Sequence, residues 1–485
     1  MPDAASRTAQ RTWLAVAAAS AVALAAAAFL AWRNAPRPDE FHTLSHVGHG
    51  GVGELWRSYR SADDATPPVA YLFSWSAARV LGTSLLAVRI PFVVSWALAA
   101  GALAALVRRS GPWAALAAGL VPTATALVYL GAYARAYAPV LACLALATCA
   151  WQRAADVERP GGWLVAVGVL GALATALHYA AIVAVVLLAA ATVVLGRGRP
   201  HRRGRTLAPL LGGVAGLVPL ALVASQAFDA QGDMADSARP LDAVAFWPSA
   251  ASPAWPLLLA AALVLGVAWL VDGLGGRDGR GIRMERELAG FGWATAAVVP
   301  VVTVAAMLAT SGIYFHRYGV GALVGAAIVV AQLVGAAAGR RAVGPLVVGL
   351  LLVSCAFATR DAAQQMLSND RARDLPGELE LAGGDAPVVV VNEYDYLLLR
   401  RYGDDALRSR LALLAEPGVV DSPDPVDLDA LVASGEPFEL VGSDAEVAAL
   451  AVDGRVPAGD PVAGTEYPRP GSPRVLVHVR VQAAP

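Results

Sequence analysis

The sequence predicts an α-helical polytopic membrane protein that ends in a small α/β domain. Three observations carry this. Apolar runs of roughly 17–22 residues recur up to about residue 360, the helical length that spans a bilayer core. Charged residues make up 15% of the 485 positions and hydrophobic ones 57%, whereas a soluble domain carries roughly 25% charge. Beyond residue 360 the long apolar runs stop, and acids and prolines take their place.

The first run, Trp13 to Trp32, is too long for a signal-peptide core. It lacks a cleavage site before Arg33-Asn34-Ala35-Pro36, so it reads as a retained anchor. Further spans are expected near 90–107, 112–131, 138–151, 162–178, 179–195, 207–225, 255–271, 289–309, 318–338 and 343–359, about eleven in all. The stretch 162–195 is split at His178-Tyr179. Arg7 and Arg11 put the N-terminus in the cytoplasm. Alternation then leaves Arg108-Arg109, Arg153, Arg159, the cluster from Arg197 to Arg205, Arg277 to Arg286 and Arg340-Arg341 inside. It sends Arg135, Arg239, Arg317 and the C-terminal tail outside.

Between the first two spans lies a long outer loop, 33–89, with structure of its own. It opens with Arg37-Pro38-Asp39-Glu40-Phe41-His42, two adjacent carboxylates just past a membrane surface. Later in the loop a helix is expected over 67–82, started by Pro67-Pro68, stopped by Gly82 and lying at the interface. The loop 226–254, with Asp229, Asp233, Asp236 and Asp242 ahead of Phe246-Trp247, reads equally as a flap over an outer site or as a polar connector. In the tail, Pro387 to Val391 reads as a buried strand, Tyr394 to Leu414 as a helix and Val475 to Val481 as an alternating strand. The domains are therefore a membrane domain, 1–360, and an extracytoplasmic α/β domain, 361–485.

Composition excludes several classes. The net charge of −1 is segregated along the chain and says nothing about partners. Every basic residue other than histidine is arginine, and no nucleic-acid signature is present. The three cysteines, Cys143, Cys149 and Cys355, lie in apolar runs and imply neither a disulfide framework nor a thiolate metal site.

Polar groups beside membrane spans are costly and usually functional. On the outer side they cluster at Asp39-Glu40, at Asp63-Asp64-Ala65-Thr66-Pro67-Pro68, at Tyr133-Ala134-Arg135-Ala136-Tyr137 and at Tyr314-Phe315-His316-Arg317-Tyr318, with His178-Tyr179 as a fifth. A carboxylate at a membrane boundary suits the activation of a hydroxyl, and guanidinium forks suit phosphate oxygens. The competing reading is that the acids solvate a loop, the arginines snorkel to headgroups and Tyr71, Tyr137 and Tyr179 are interfacial anchors. His42, His46 and His49 are spaced four and three apart. With Glu40 they are candidate ligands for a divalent metal, although Gly48, Gly50, Gly51 and Gly53 oppose one continuous helix there.

The order of Asp39-Glu40, Thr66-Pro67-Pro68-Val69-Ala70-Tyr71, Leu86-Ala87-Val88-Arg89-Ile90-Pro91, Ala134-Arg135-Ala136-Tyr137-Ala138, His178-Tyr179 and Arg317-Tyr318 resembles the GT-C superfamily of lipid-phosphate-sugar glycosyltransferases. It is most similar to glycosyltransferase family 39 and its bacterial mannosyltransferase-like relatives. The resemblance spans roughly residues 13 to 340. Two positions depart from the pattern: Thr66 stands where the relatives usually have histidine, and Tyr133 where they usually have glutamate.

The resemblance implies transfer of a sugar from a polyprenyl-phosphate donor to an acceptor hydroxyl on a glycan, lipid or protein, in the cell inner or plasma membrane. Asp39 is the implied base, with Glu40 orienting the acceptor or a metal. Arg135, Arg317, Arg89 and His316 are implied on the donor phosphate, and His178, Tyr179, Tyr137, Tyr71, Pro67 and Pro68 around the substrate. A divalent metal on His42 and His46 is a candidate cofactor. The alternatives are a lipid-linked glycan flippase, which predicts charges near mid-span, and a catalytically degenerate partner in envelope glycan assembly.

Overall fold

A computed structural model describes residues 4–61, 66–221, 238–252, 254–274, 284–309, 314–379, 385–414, 425–426, 428–434, 437–443, 447, 450, 461–469 and 472–481. The chain forms two compact units. One comprises residues 1–31 and 43–362, the other residues 32–42 and 363–485.

The first unit is helical. Its elements are α1 (Ala4–Arg33), the end of α2 (Pro38–Val47), α3 (Val52–Ser61), α4 (Pro68–Leu81), α5 (Leu85–Leu106), α6 (Pro112–Leu120), α7 (Tyr137–Asp156), α8 (Gly161–Leu177), α9 (Ala181–Leu195) and α10 (Arg202–Ala221). They continue with α11 (Leu241–Ala251), α12 (Trp255–Leu274), α13 (Arg286–Ala309), α14 (Ala322–Ala336) and α15 (Val343–Gln364).

Among the described residues six helices are long and apolar enough to cross a membrane: Ser6–Arg33, Leu85–Leu106, Tyr137–Asp156, Arg286–Ala309, Ala322–Gly339 and Val343–Gln364. The pair Leu241–Ala251 and Trp255–Ala268 makes a seventh if its 93° bend is one broken span. The polytopic helical fold holds, while several of the expected spans are shorter or broken helices. Gly161–Leu177 and Ala181–Leu195 are apolar but fall short of the six. The stretch 112–131 is α6 followed by a separate 3-10 turn, Ala126–Gly131. Residues 222–225 of the expected span 207–225 lie outside the described residues.

Small residues set the packing. On α1, Ala15, Ala19, Ala23 and Ala27 recur every fourth residue and are buried, while Leu14, Leu24 and Phe29 on other faces are exposed. A stripe without bulk lets helix backbones approach closely, which replaces the hydrophobic drive that lipid removes. Ala15 and Ala19 pack with Ala104 of α5 and Ala115 of α6. A Cβ at Gly119 would come within 2.8 Å of the Ala100 carbonyl, so α5 and α6 meet where only glycine fits.

The described residues of the long 33–89 loop are largely helical, in line with its length. Pro67 precedes α4 and Gly82, at φ 92°, ends it, because proline presets the first turn and glycine accepts a positive φ. The glycine run at 48–53 breaks the chain between α2 and α3, leaving His42 and His46 on α2 and His49 in the turn.

The second unit is an α/β sandwich around a six-stranded sheet of order β3-β2-β1-β4-β6-β5. The strands are β1 (Val388–Val390), β2 (Leu411–Leu414), β3 (Pro425–Val426), β4 (Phe438–Ser443), β5 (Pro461–Arg469) and β6 (Ser472–Val481). β1 runs parallel to β2 and β4, pairing Val389 with Ala412 and Leu440, and β6 closes antiparallel on β4. All three β1 valines are buried, as expected of a parallel strand covered on both faces.

Among the described residues the helices of this unit include α16 (Asn369–Glu378), α17 (Glu393–Tyr402), α18 (Asp405–Arg408) and α19 (Leu428–Ser434), besides the start of α2. The expected helix over 394–414 is corrected here. It stops at Tyr402, Asp404 caps α18 by accepting from the Leu407 amide (2.7 Å), and residues 411–414 become β2. Gly403 and Asp404 break the helix, and pairing with β1 overrides the helical propensity of Leu-Ala-Leu-Leu.

Candidate active site

The polar residues that the sequence predicts for the outer side are scattered over some 280 positions, and the helical unit brings many of them together. Residues 133–137 form a tight turn between the 3-10 segment and α7, in which the Arg135 amide donates to the Tyr133 carbonyl at 2.7 Å. The turn is pinned from α2, where the Thr43 hydroxyl donates to the Ala134 carbonyl at 2.8 Å. Half-buried Arg135 then donates to the Tyr71 hydroxyl at 2.7 Å and to the Thr66 hydroxyl. Thr66, which replaces the usual histidine, therefore serves as an acceptor for a guanidinium. Its own carbonyl accepts from Tyr59 (2.9 Å).

A ring cluster joins this turn to two others. Tyr133, in place of the usual glutamate, lies nearly parallel to Tyr137, at 6.4 Å and 3°. Tyr137 meets His178 at 5.2 Å, His178 meets Tyr318 at 5.2 Å, and Tyr318 returns to Tyr137 at 6.5 Å. Arg317, from the 3-10 turn His316–Gly319, lies over Phe315 at 4.0 Å and over Tyr137 and Tyr318 at 5.9 Å each. Ring faces favour a guanidinium, more strongly where water is thinned out.

His178 registers the charge of this assembly. It breaks the apolar stretch between α8 and α9 at the expected place, and its Nδ1 accepts from the Ala180 amide at 3.3 Å. Burial pushes its pKa down to about 3, and the positive charges of Arg135 and Arg317 push in the same direction. The imidazole is therefore neutral near pH 7, and guanidiniums 182 residues apart in sequence act on one ring. An anion placed there would feel both.

Tyr71 and Tyr137 are corrected as interfacial anchors: both are buried, whereas an anchor displays its ring at the headgroups. Tyr179 is half-buried against His178 at 4.9 Å, and Pro67 is buried beside half-buried Pro68. Arg89 lies inside α5, fully buried, and donates to the Ala31 carbonyl at 2.9 Å. That carbonyl belongs to the last turn of α1, where carbonyls lack helical partners.

His316 lies beside buried Phe246 at 6.3 Å, and burial lowers its pKa while Asp242 opposes the shift. Burial and then Asp242 raise that of Tyr314, 5.6 Å from His316. Gly319 is required here, because a Cβ would run into the Phe246 ring. The flap-or-connector loop thus contributes α11, whose Phe246 packs against the Arg317 turn and whose Trp247 indole donates to the Ala296 carbonyl at 3.1 Å. Asp229, Asp233 and Asp236 lie outside the described residues, as do Asp63, Asp64 and Ala65.

Sequence reasoning missed Thr43, Tyr59 and Ser58. Each is an ordinary polar residue on a helix, with no signal beyond the 33–89 loop itself. His46 is held in packing: its ring is 4.3 Å from Tyr71 and its Nδ1 lies 3.2 Å from the Ser58 hydroxyl. Among the described residues no three or more His, Cys, Asp or Glu side chains are grouped to hold a metal ion.

In the second unit Asp39 and Glu40 occupy the first turn of α2. Asp39 is half-buried and Glu40 fully buried. Glu40 caps the start of α2, its Oε2 accepting from the Arg37 amide at 2.9 Å.

The model of the family described as dolichyl-phosphate-mannose-protein mannosyltransferase matches residues 65–225. That stretch holds the Arg135 and His178 turns. The fold is similar to that of ArnT from Cupriavidus metallidurans in the apo state, with a TM-score of 0.58 over 96% of this chain and 97% of that one, at 15% identity. It is equally similar to the same protein bound to undecaprenyl phosphate, with a TM-score of 0.57, the same coverage and 17% identity. The chain has the GT-C fold. No curated protein matches it in sequence.

Proposed function

We propose that this GT-C chain is an inverting membrane glycosyltransferase that uses a polyprenyl-phosphate sugar. The assembly of Arg317 and His178 on the rings of Tyr137 and Tyr318, beside the Arg135 turn that leads into Tyr137, carries the reading. Two guanidiniums among aromatic rings, at a membrane boundary, suit a phosphate whose ester is a greasy lipid and whose other substituent is a sugar. Similarity to a protein solved with undecaprenyl phosphate supports that donor class.

In the proposed reaction the acceptor hydroxyl attacks the anomeric carbon from the face opposite the phosphate. The bond between that carbon and the phosphate oxygen breaks, the lipid phosphate leaves with the electron pair, and the hydroxyl proton passes to the Asp39 carboxylate. Arg135 and Arg317 hold the phosphate as charge accumulates on it, the moment at which preorganised charge is most effective. The chemistry requires Asp39 to face both arginines across room for one sugar. We place the N-terminus in the cytoplasm and the reaction on the outer face of the inner or plasma membrane. Arginine-rich inner loops and an arginine-poor outer side support that orientation.

The test measures release of undecaprenyl phosphate from a panel of undecaprenyl-phosphate pentoses and hexoses by the purified protein supplied with a cell-envelope extract as the source of acceptor hydroxyls. Asp39→Asn should lower turnover by about 10²–10⁴-fold, the range for general-base loss, with melting temperature and undecaprenyl-phosphate binding unchanged. Full turnover in that variant removes Asp39 as the base.

A further inference from the structure

The segment that carries Asp39 and Glu40 is built into the C-terminal unit. Asn34 forms an antiparallel bridge with Ser368, and the Ala35 amide donates to the Leu367 carbonyl at 2.8 Å. The Asn369 side-chain amide donates to the Trp32 carbonyl at 2.7 Å. These contacts fix the approach to the acids. Tyr394 then takes both flanks of the pair. Its hydroxyl donates to the Pro36 carbonyl at 3.2 Å, and its ring meets the edge of buried Phe41 with centroids 5.9 Å apart.

The place of Tyr394 in the fold is informative. The connections from β1 through β2 to β3 lead to one side of β1, and β4 returns on the other, so the strand order reverses between β1 and β4. In open α/β sheets ligands bind outside the carboxyl ends of the strands at such a reversal. Here β1 runs directly into Asn392, whose side chain accepts from the Tyr394 amide at 2.9 Å and so caps α17. Tyr394 stands at that carboxyl edge and holds not a diffusible ligand but the chain's own residues 36–41.

We propose that the C-terminal α/β unit is the mount for the acidic pair, and that Tyr394 is the positioning residue that sets Asp39 for proton transfer. This rests on the reading of Asp39 as base. It assigns the tail a part in turnover rather than in recognising a partner. Removing the Tyr394 side chain releases Pro36 and Phe41 together, three residues before and two after Asp39, while the sheet keeps its core.

The experiment uses the full chain in nanodiscs, with Tyr394→Ala, Tyr394→Phe and, as a control on the same helix, Tyr396→Phe, which removes the hydroxyl that accepts from Arg400 at 2.8 Å. Amide hydrogen exchange over residues 39–47 should quicken about tenfold in Tyr394→Ala while residues 388–390 stay protected. With whichever donor of the panel the wild type consumes, kcat should fall about 100-fold in Tyr394→Ala, the scale of a 1 Å misplacement. Tyr394→Phe, which keeps the ring, should lose about 3–10-fold, and KM for the donor should stay within about twofold in both. Unchanged exchange over 39–47, a loss confined to KM, or an equal loss in Tyr396→Phe overturns the proposal. If the wild type releases no undecaprenyl phosphate from any donor, the glycosyltransferase reading fails, and with it the role given to Tyr394 in turnover; the exchange result still decides the mount.

Discussion

Helix α7 has Tyr137 at one end and Asp156 at the other, roughly 29 Å apart at 1.5 Å per residue, and arginine is used differently at the two. Around the Asp156 end guanidiniums meet carboxylates. Arg205, 1% exposed, pairs with Glu287 at 3.0 Å, stacks on Trp151 at 4.3 Å and donates to the Trp151 carbonyl at 3.2 Å. Arg199 reaches Glu285 at 2.7 Å and Arg109 reaches Asp156 at 2.8 Å. These pairs tie together the loops after α5, α7, α9 and before α13. Around the Tyr137 end the guanidiniums meet hydroxyls and ring faces. A carboxylate partner neutralises an arginine, whereas a hydroxyl or a ring face orients the guanidinium. The same residue type thus pairs with carboxylates at one end of the bundle and packs among hydroxyls and rings at the other.

The largest effect should come from breaking the fastened end. Arg205→Ala leaves buried Glu287 with the more distant Arg199, 4.0 Å away, which should lower stability by about 3 kcal/mol in denaturation, with undecaprenyl-phosphate affinity unchanged in the fraction that stays folded. An equal loss of affinity would erase the contrast. At the other end, Arg135→Gln should weaken undecaprenyl-phosphate binding about 10–100-fold, the worth of a charged hydrogen bond, with little change in melting temperature. A stability loss without an affinity loss would mark Arg135 as structural.

Stability should also report on His178. Its folded pKa of about 3 lies below the unfolded value of 6.5, so between those values the unfolded chain binds the extra proton. Stability is then full above pH 6.5 and falls as pH falls toward 3, by about 1 kcal/mol between pH 7.5 and 5.5. His178→Gln should flatten that slope in a pH series of denaturation curves. The smallest effect belongs to Arg109→Ala. Its pair with Asp156 is half-exposed, and its removal should cost at most about 1 kcal/mol.

Particular residues show how far the sequence could be read. Gly82 and Pro67 delimited α4 in the sequence because each acts through its own backbone. The break at His178-Tyr179 was legible because the apolar pattern itself stopped. The strand at 411–414 was not, since four apolar residues suit a helix or a strand equally until a neighbouring strand chooses. Tyr71 and Tyr137 looked like anchors because an aromatic residue near a span has the same sequence signature whether it faces headgroups or a neighbouring helix.

Hydropathy, arginine distribution and motif order determined by themselves that this chain crosses a membrane many times and carries glycosyltransferase-like polar clusters. They are local properties, fixed by the transfer free energy of each segment. The tertiary structure alone decided that Arg317 and His178 meet the same two rings, that Thr66 accepts from Arg135 and Tyr133 packs on Tyr137, and that residues 32–42 fold with the C-terminal unit. Most of those are contacts between residues far apart in sequence. Many pairings satisfy the same hydropathy, and only close packing selects one.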